Sequence, residues 1–260
     1  MNKDQFVNNS VMIPGLYIHI PFCLSKCHYC NFYSETSLKH LSSYTQALES
    51  EMALYEQRFR KFDTVYFGGG TPSILKAEEI ADILRSIERY FSLQEESEIT
   101  IEANPGDLDP AFLRSLREGG VNRVNIGVQS FDDDILDFLG RRHSSRDAVQ
   151  AIETTYNEGF TNTGLDLIYG IPGQNMNKWM DTLSRAISFK PEHISCYQLT
   201  IEASPHLGKR LDKGEITLPD EDIQYDFFMK TSERLEDEGY IHYEISNFAK
   251  DTHFISRHNS

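Results

Sequence analysis

The chain has 260 residues, 39% of them apolar and 25% charged, with a formal net charge of -15 at pH 7. A chain of this length buries about three quarters of the surface its unfolded form exposes, so it needs no disulfides to fold. The acidic surplus argues against a nucleic-acid partner, which demands Lys and Arg in excess. No apolar run approaches the ~20 residues of a membrane span. The polar start Met1–Ser10 lacks the layout of a signal peptide, so the cytoplasm is the expected compartment.

Strand-like runs and amphipathic helices alternate. Leu16–Ile20 is the first strand candidate, followed by the turn Pro21–Asn31 and a helix marked by Leu41, Tyr44, Leu48, Met52 and Tyr55. Thr64–Phe67 comes next, with the glycine turn Gly68–Ser73 behind it. The unbroken stripe Ile80, Ile83, Leu84, Ile87, Tyr90 and Phe91 then marks a helix. Glu98–Glu102 runs into the turn Ala103–Gly106, and Phe112, Leu113 and Leu116 mark a helix stopped by Gly119–Gly120. Arg123–Val128 precedes Gln129–Ser130, and Leu165–Tyr169 precedes Gly170–Gly173. Trp179, Leu183 and Ile187 form a helical stripe before His193–Leu199. Ile223, Phe227 and Leu235 suggest a last helix and Tyr240–Ser246 one more strand, ahead of Arg257-His258-Asn259-Ser260.

Repeated strand–helix units specify an α/β fold with a parallel sheet. No GxGxxG or GxxxxGKS/T follows any strand. Unusual polar or glycine-rich turns follow them instead, where a (β/α) barrel gathers its function. Six units favour an incomplete (β/α)6 barrel.

Three of the four cysteines stand in Pro21-Phe22-Cys23-Leu24-Ser25-Lys26-Cys27-His28-Tyr29-Cys30, a CxxxCxxC spacing, with Cys196 far away in a strand candidate. An odd group of thiols makes no disulfide framework and points to metal. Three thiolates ligate three irons of a 4Fe-4S cluster and leave the fourth iron open. The alternative is structural zinc, which needs a fourth ligand in a closed tetrahedron. No second CxxC exists, Cys196 reads as a buried thiol, and His28 is cramped between two cysteines. The cluster is the favoured reading, on Cys23, Cys27 and Cys30.

Further segments accompany that loop in order: Leu16-Tyr17-Ile18-His19-Ile20-Pro21-Phe22-Cys23, Phe67-Gly68-Gly69-Gly70-Thr71-Pro72-Ser73, Ile101-Glu102-Ala103-Asn104-Pro105 and Asn125-Ile126-Gly127-Val128-Gln129-Ser130-Phe131. Gly140-Arg141, Leu165-Asp166-Leu167-Ile168-Tyr169-Gly170-Ile171-Pro172-Gly173-Gln174 and Tyr197-Gln198-Leu199-Thr200-Ile201-Glu202 complete the set. In these the chain resembles the radical S-adenosylmethionine (SAM) superfamily and, within it, the HemN/HemW group. The resemblance implies a 4Fe-4S cluster whose open iron binds SAM and whose electron breaks the sulfonium C–S bond. It also implies a radical SAM core at 15–235, between an N-terminal tail at 1–14 and the start of a truncated C-terminal domain at 236–260.

Residue roles follow from the same resemblance. Glycines at 68–70 let the backbone approach a ligand and offer N–H groups to it, and the family likeness assigns Gly69, Gly70 and Thr71 to the amino group of SAM. Tyr17 and Tyr29 are implied SAM contacts. Glu102, Gln129 and Asp166 sit at or just past strand ends, on a barrel's catalytic rim. A carboxylate accepts from ribose hydroxyls or an ammonium group, and Gln129 can do either job. By resemblance all three bind SAM, as does Arg141, whose guanidinium suits a carboxylate. Arg142 reads as a solvated neighbour. His19 is balanced between facing the cofactor and filling the barrel, and His193, His206 and His242 carry no spacing that suggests a site.

Two functions compete within the group. One is the HemW haem chaperone, which delivers haem to recipient proteins. The other is the oxygen-independent coproporphyrinogen III dehydrogenase, which decarboxylates two propionates in porphyrin biosynthesis. The dehydrogenase type carries a fourth cysteine in a CxC arrangement, whereas Cys30 is followed here by Asn31-Phe32-Tyr33. It also has a longer segment ahead of the cluster loop. Both features favour the HemW side, and net substrate turnover divides the two readings. His258-Asn259 resembles the start of the HNxxYW motif linked with haem binding, which makes His258 a candidate haem ligand as an exposed neutral imidazole; a frayed terminal histidine is the alternative. A third reading is a truncated cluster-binding remnant without complete activity. A haem or porphyrin ligand, haem-recipient proteins and an electron donor such as a flavodoxin are the expected partners.

Overall fold

The computed structural model describes residues 13–201 and 205–259. Its strands and helices alternate as β1 (Gly15–Ile20), α1 (Leu41–Tyr55), β2 (Lys61–Gly69), α2 (Ala77–Tyr90), β3 (Ser92–Ala103), α3 (Pro110–Glu118) and β4 (Arg123–Gln129). Then follow α4 (Asp133–Leu139), α5 (Ser145–Asn157), β5 (Thr163–Tyr169), α6 (Met176–Ser188) and β6 (His193–Gln198). The chain continues through α7 (Pro205–Asp212), α8 (Glu221–Asp237), β7 (Ile241–His242) and β8 (Asn247–Ala249).

β1 to β6 are parallel, each paired with the next. β8 then joins β6 antiparallel and carries β7 outside it. The sheet order β1-β2-β3-β4-β5-β6-β8-β7 leaves β1 and β7 as edges, so the expected six-unit barrel is open. All six parallel strands lie where the alternation places them. The seventh differs: the run expected as Tyr240–Ser246 is interrupted by a turn, in which Tyr243 N–H donates to the Asn247 carbonyl at 3.3 Å and Ser246 N–H to the Glu244 carboxylate at 2.9 Å.

The outer layer follows the apolar stripes. Ile80, Ile83, Leu84 and Ile87 of α2 are buried against Val65, Phe67 and Ile101 of the sheet in one continuous core. Each such side chain contributes roughly 1.5–3 kcal/mol on burial. α5 escapes a reading by apolar period because the face it buries is small, Ala148, Ala151, Ile152 and Thr155; a capping box between Ser144 and Asp147 starts it. α4 is one short segment closed by Gly140 at φ 69, a left-handed helix stop.

The concave face is polar. Thr100, Arg123, Asn125, His193 and Ser195 are all buried there. Near the start of β4, Arg123 pairs with Glu98 at 3.4 Å and donates to the Phe254 carbonyl at 3.1 Å. Ser256 Oγ and the Arg257 N–H donate to the same Glu98 carboxylate at 3.4 and 3.5 Å. The segment 251–259 is thereby fastened to the middle of β3 and the N-terminal end of β4. It carries His258 onto Tyr66, with ring centroids 4.6 Å apart and planes at 20°, and Nδ1 lies 3.3 Å from Thr64 Oγ1. His258 is therefore neither the exposed imidazole nor the frayed residue expected, because a buried ion pair anchors the chain just ahead of it.

Candidate cofactor site

The cysteine loop leaves the C-terminal end of β1 and folds back on itself. Cys23 N–H donates to the Glu35 carbonyl at 3.0 Å, and Glu35 N–H to the Pro21 carbonyl at 2.8 Å. Phe22 anchors the loop in the core, edge-on to Tyr44 at 5.4 Å. His28 ties the middle of the loop to the end of α4, its N–H on the Leu139 carbonyl and its Nδ1 2.9 Å from the Phe138 carbonyl. Cys23 is buried, and Cys27 and Cys30 are partly exposed. Thr71 Oγ1 donates to Cys23 Sγ and Arg141 Nη1 to Cys27 Sγ, both at 3.4 Å. Burial pushes the Cys30 thiol up, and the neighbouring Cys27 and Cys23 add to it. Among the described residues no three His, Cys, Asp or Glu side chains gather tightly enough to hold a single metal ion. A cubane cluster takes one thiolate per iron, so a looser triad of thiols is the donor set it uses.

The glycine turn lies directly against this loop. Gly69 has φ +110, which a side chain would strain. A Cβ on Gly70 would stand 2.7 Å from the Phe22 carbonyl oxygen and 2.8 Å from that of Ile20. One expectation needs correction: the N–H groups are not on offer. Gly70 N–H donates to the Ile20 carbonyl, Thr71 N–H to the Phe22 carbonyl, and the Gly69 backbone to Glu102. An ammonium group is a donor and is met by carbonyl oxygens, so the turn still matches the amino group of an amino acid.

Around the mouth, the predicted rim residues come together. Tyr66 Oη donates to Glu102 Oε1 at 2.8 Å. Burial raises the Glu102 carboxyl from 4.5 to about 7, the Tyr66 hydrogen bond opposes the rise, and Asp166 adds to it. Burial likewise raises Asp166 from 3.8 to about 6. Tyr17, beside Glu102, rises to about 12, chiefly through burial. Gln129 is buried at φ 65, a left-handed backbone unusual for a residue with a side chain, where the β4–β5 register shifts. Such strain gathers at functional positions. The atoms Asp166 Oδ1, Gln129 Oε1 and Arg141 Nε are buried with no hydrogen-bond partner among the described residues, as expected of groups set for a ligand.

These carboxyl shifts carry a stability consequence. Between about pH 4.5 and 7 the unfolded chain has released the Glu102 proton while the folded chain keeps it, so stability falls as pH rises. Melting temperature measured against pH without cofactors will show that fall, to which the raised Asp166 carboxyl adds below about pH 6, and Glu102→Gln will lessen it above that. An unchanged slope in Glu102→Gln would assign the titration to another group.

Arg141 is wedged beneath the cysteine loop, donating to Cys27 Sγ, to Tyr29 Oη at 3.4 Å and to the Gly127 carbonyl at 2.7 Å. Burial pushes the Tyr29 phenol well up. Arg142 is exposed, as expected of a solvated neighbour, and it also pairs with Asp107, which accepts from Ser73 Oγ at 2.6 Å. That pair joins the turns after β2 and β3. His19 Nε2 lies 3.1 Å from the Tyr33 carbonyl, and a Cβ on Gly69 would meet its ring, so it wedges turn and loop together. Buried His143, not singled out in the sequence, is held neutral at about 4 by burial and by Arg141, and donates Nε2–H to the Val128 carbonyl at 3.0 Å. His206 stacks on His28 at 4.0 Å and braces the loop from α7. Neither histidine had a local signal, since each acts on a segment far away in sequence.

A sequence profile of the radical SAM superfamily matches residues 17–186. The chain is 36% identical over 256 residues to the heme chaperone HemW of Synechocystis, covering 96% of this chain and 62% of that protein. It is 38% identical over 253 residues to the heme chaperone HemW of Haemophilus influenzae, covering 94% and 65%. The chain thus spans less than two thirds of the length of these relatives. Among solved structures it is similar to the coproporphyrinogen III oxidase HemN from Escherichia coli, a radical SAM enzyme, with a TM-score of 0.83, 27% identity and coverage of 94% and 57%. Elp3 from Methanocaldococcus infernus, at a TM-score of 0.56, 18% identity and coverage of 80% and 51%, shares the fold.

Proposed function

The chain belongs to the radical SAM superfamily, whose cofactors are a 4Fe-4S cluster and SAM, and on that premise we propose that it binds both at the barrel mouth and serves as a haem chaperone of the HemW kind. Cys23, Cys27 and Cys30 would hold the cluster, which when bound supplies the electron that breaks the sulfonium C–S bond. Tyr17, Tyr29, Glu102, Gln129, Arg141 and Asp166, with the carbonyls of the turn Gly69–Thr71, would hold SAM. The unpartnered buried atoms of Gln129, Arg141 and Asp166 support the assignment. Burial of Gln129 and partial burial of Glu102, Arg141 and Asp166 lower the local dielectric and strengthen their contacts with a charged ligand.

The observation that carries the chaperone reading over the dehydrogenase is Phe32. It stands where the dehydrogenase type has its fourth cysteine, and it is 66% exposed on the cluster loop beside Tyr33 at 68%. Two open aromatic side chains offer a flat macrocycle apolar contact and cannot replace a thiol. The names of the curated relatives point the same way. His258 remains the candidate haem ligand in this reading: Tyr66 covers only a face of its ring and Thr64 lies at Nδ1, whereas an iron would be met by Nε2 in the ring plane. No described helix is long and apolar enough to cross a membrane, and the reading places the protein in the cytoplasm. Its partners there would be a reduced donor such as a flavodoxin and haem-recipient proteins.

The test is anaerobic reconstitution with iron and sulfide, then titration with haem, alongside the Haemophilus influenzae HemW as control. Haem uptake near one per chain is the expected result. No uptake while the control binds, together with SAM-dependent release of carbon dioxide from coproporphyrinogen III, would transfer the assignment to the dehydrogenase.

A further inference from the structure

We propose that His258 is a positioning residue for the SAM site: by stacking on Tyr66 and Tyr17 it fixes the rings that set Glu102 and the floor of the glycine turn. The proposal rests on the reading of the barrel mouth as the SAM site.

Delivery of the imidazole is built into the fold. Three contacts fasten the preceding residues to the buried Arg123–Glu98 pair: the Phe254 carbonyl, the Ser256 hydroxyl and the Arg257 N–H. The space His258 enters exists because position 15 is glycine. A Cβ on Gly15 would stand 2.4 Å from Thr64 Oγ1 and 3.0 Å from His258 Nδ1. Thr64, itself buried, then holds Nδ1.

From there a stack of rings leads towards the mouth. His258 lies on Tyr66 and, with centroids 5.8 Å apart at 24°, on Tyr17; Tyr17 and Tyr66 are 5.9 Å apart at 20°. The far end of Tyr66 carries the hydroxyl that donates to Glu102. Both tyrosine rings converge over Gly68, where a Cβ would stand 2.9 Å from the Tyr17 hydroxyl and 2.9 Å from Tyr66 Cε1. Gly68 is the residue before the turn Gly69–Thr71. Removing the imidazole leaves a void beneath both rings and lets them tilt, which moves the Tyr66 hydroxyl off Glu102. The effect needs a flat ring at position 258 and not a basic nitrogen.

The experiment compares the cluster-loaded 260-residue chain with His258→Ala and His258→Phe, reading SAM affinity by anaerobic calorimetry and iron content for each. His258→Ala is expected to bind SAM about tenfold more weakly at unchanged iron content, the scale of one lost aromatic pair. His258→Phe, which keeps the ring but cannot ligate iron, is expected to stay within about twofold of the unaltered chain. Weakening in both variants, in neither, or only together with loss of iron overturns the proposal. Failure of the unaltered chain to bind SAM at all overturns the underlying reading, and the proposal with it.

Discussion

Replacing Cys23, Cys27 or Cys30 with alanine, one at a time, will abolish the 4Fe-4S cluster, whereas Cys196→Ala will keep it. Each of the three thiols lies in a loop closed on itself at Cys23 and Glu35 and pinned at His28, so no other thiol can move in as a substitute. Cys196 lies in β6, fully packed, its thiol pushed up by burial. It stands outside the cluster loop, so it supplies no thiolate there. Anaerobic reconstitution followed by iron and sulfide analysis will read the difference. Near-complete loss in each loop variant beside full loading of Cys196→Ala is the expected pattern. Retention of a full cluster in any loop variant would remove that cysteine from the ligand set.

The second large effect concerns the barrel floor. Arg123→Ala will lower the unfolding free energy by about 3–5 kcal/mol, since removing one partner leaves the other charge buried and uncompensated. Glu98 would keep only the Ser256 hydroxyl and the Arg257 N–H. The Phe254 carbonyl would lose its donor, which removes one of the contacts that hold the tail. Two atoms of Arg123, Nε and Nη2, have no hydrogen-bond partner among the described residues, so the arginine already carries some desolvation cost. The loss should accordingly fall towards the lower end of that range. Urea unfolding of the chain without cofactors measures it. The double replacement Arg123→Met with Glu98→Leu is expected to recover much of the loss, as apolar substitutes for buried ion pairs do. A loss under about 1 kcal/mol for Arg123→Ala would mean that water enters the floor and screens Glu98.

What could be read from the chain in advance divides by the range of the interaction. β1 to β6 announce themselves by short apolar runs ending in polar turns, and the cysteine spacing is a local pattern that needs no coordinates. Glu102, Gln129 and Asp166 could be placed on the rim because each sits at a strand's end, a property of one segment alone. α4 and α5 stayed hidden, since the first is a single short segment and the second buries alanines that give no apolar stripe. The pairing of Arg142 with Asp107 joins two loops, and that of Glu98 with the tail spans most of the chain. No period or spacing encodes such contacts. The donors of the glycine turn were misread for the same reason: their acceptors, Ile20 and Phe22, lie on another strand and its loop.

The order of the strands also says something about how the protein is made. Each parallel strand from β2 to β6 lies beside the one synthesised before it, so the sheet can lengthen as the chain leaves the ribosome. The loop of Cys23, Cys27 and Cys30 meets the glycine turn once β2 has joined β1, whereas Asp166 arrives on β5 and His258 only after β8. The three cysteines and the glycine turn thus come together early, while His28 and Arg141 fasten the loop only once α4 has formed. A ribosome-bound chain stalled before α4 would therefore carry the three thiols on a loop that is not yet fastened.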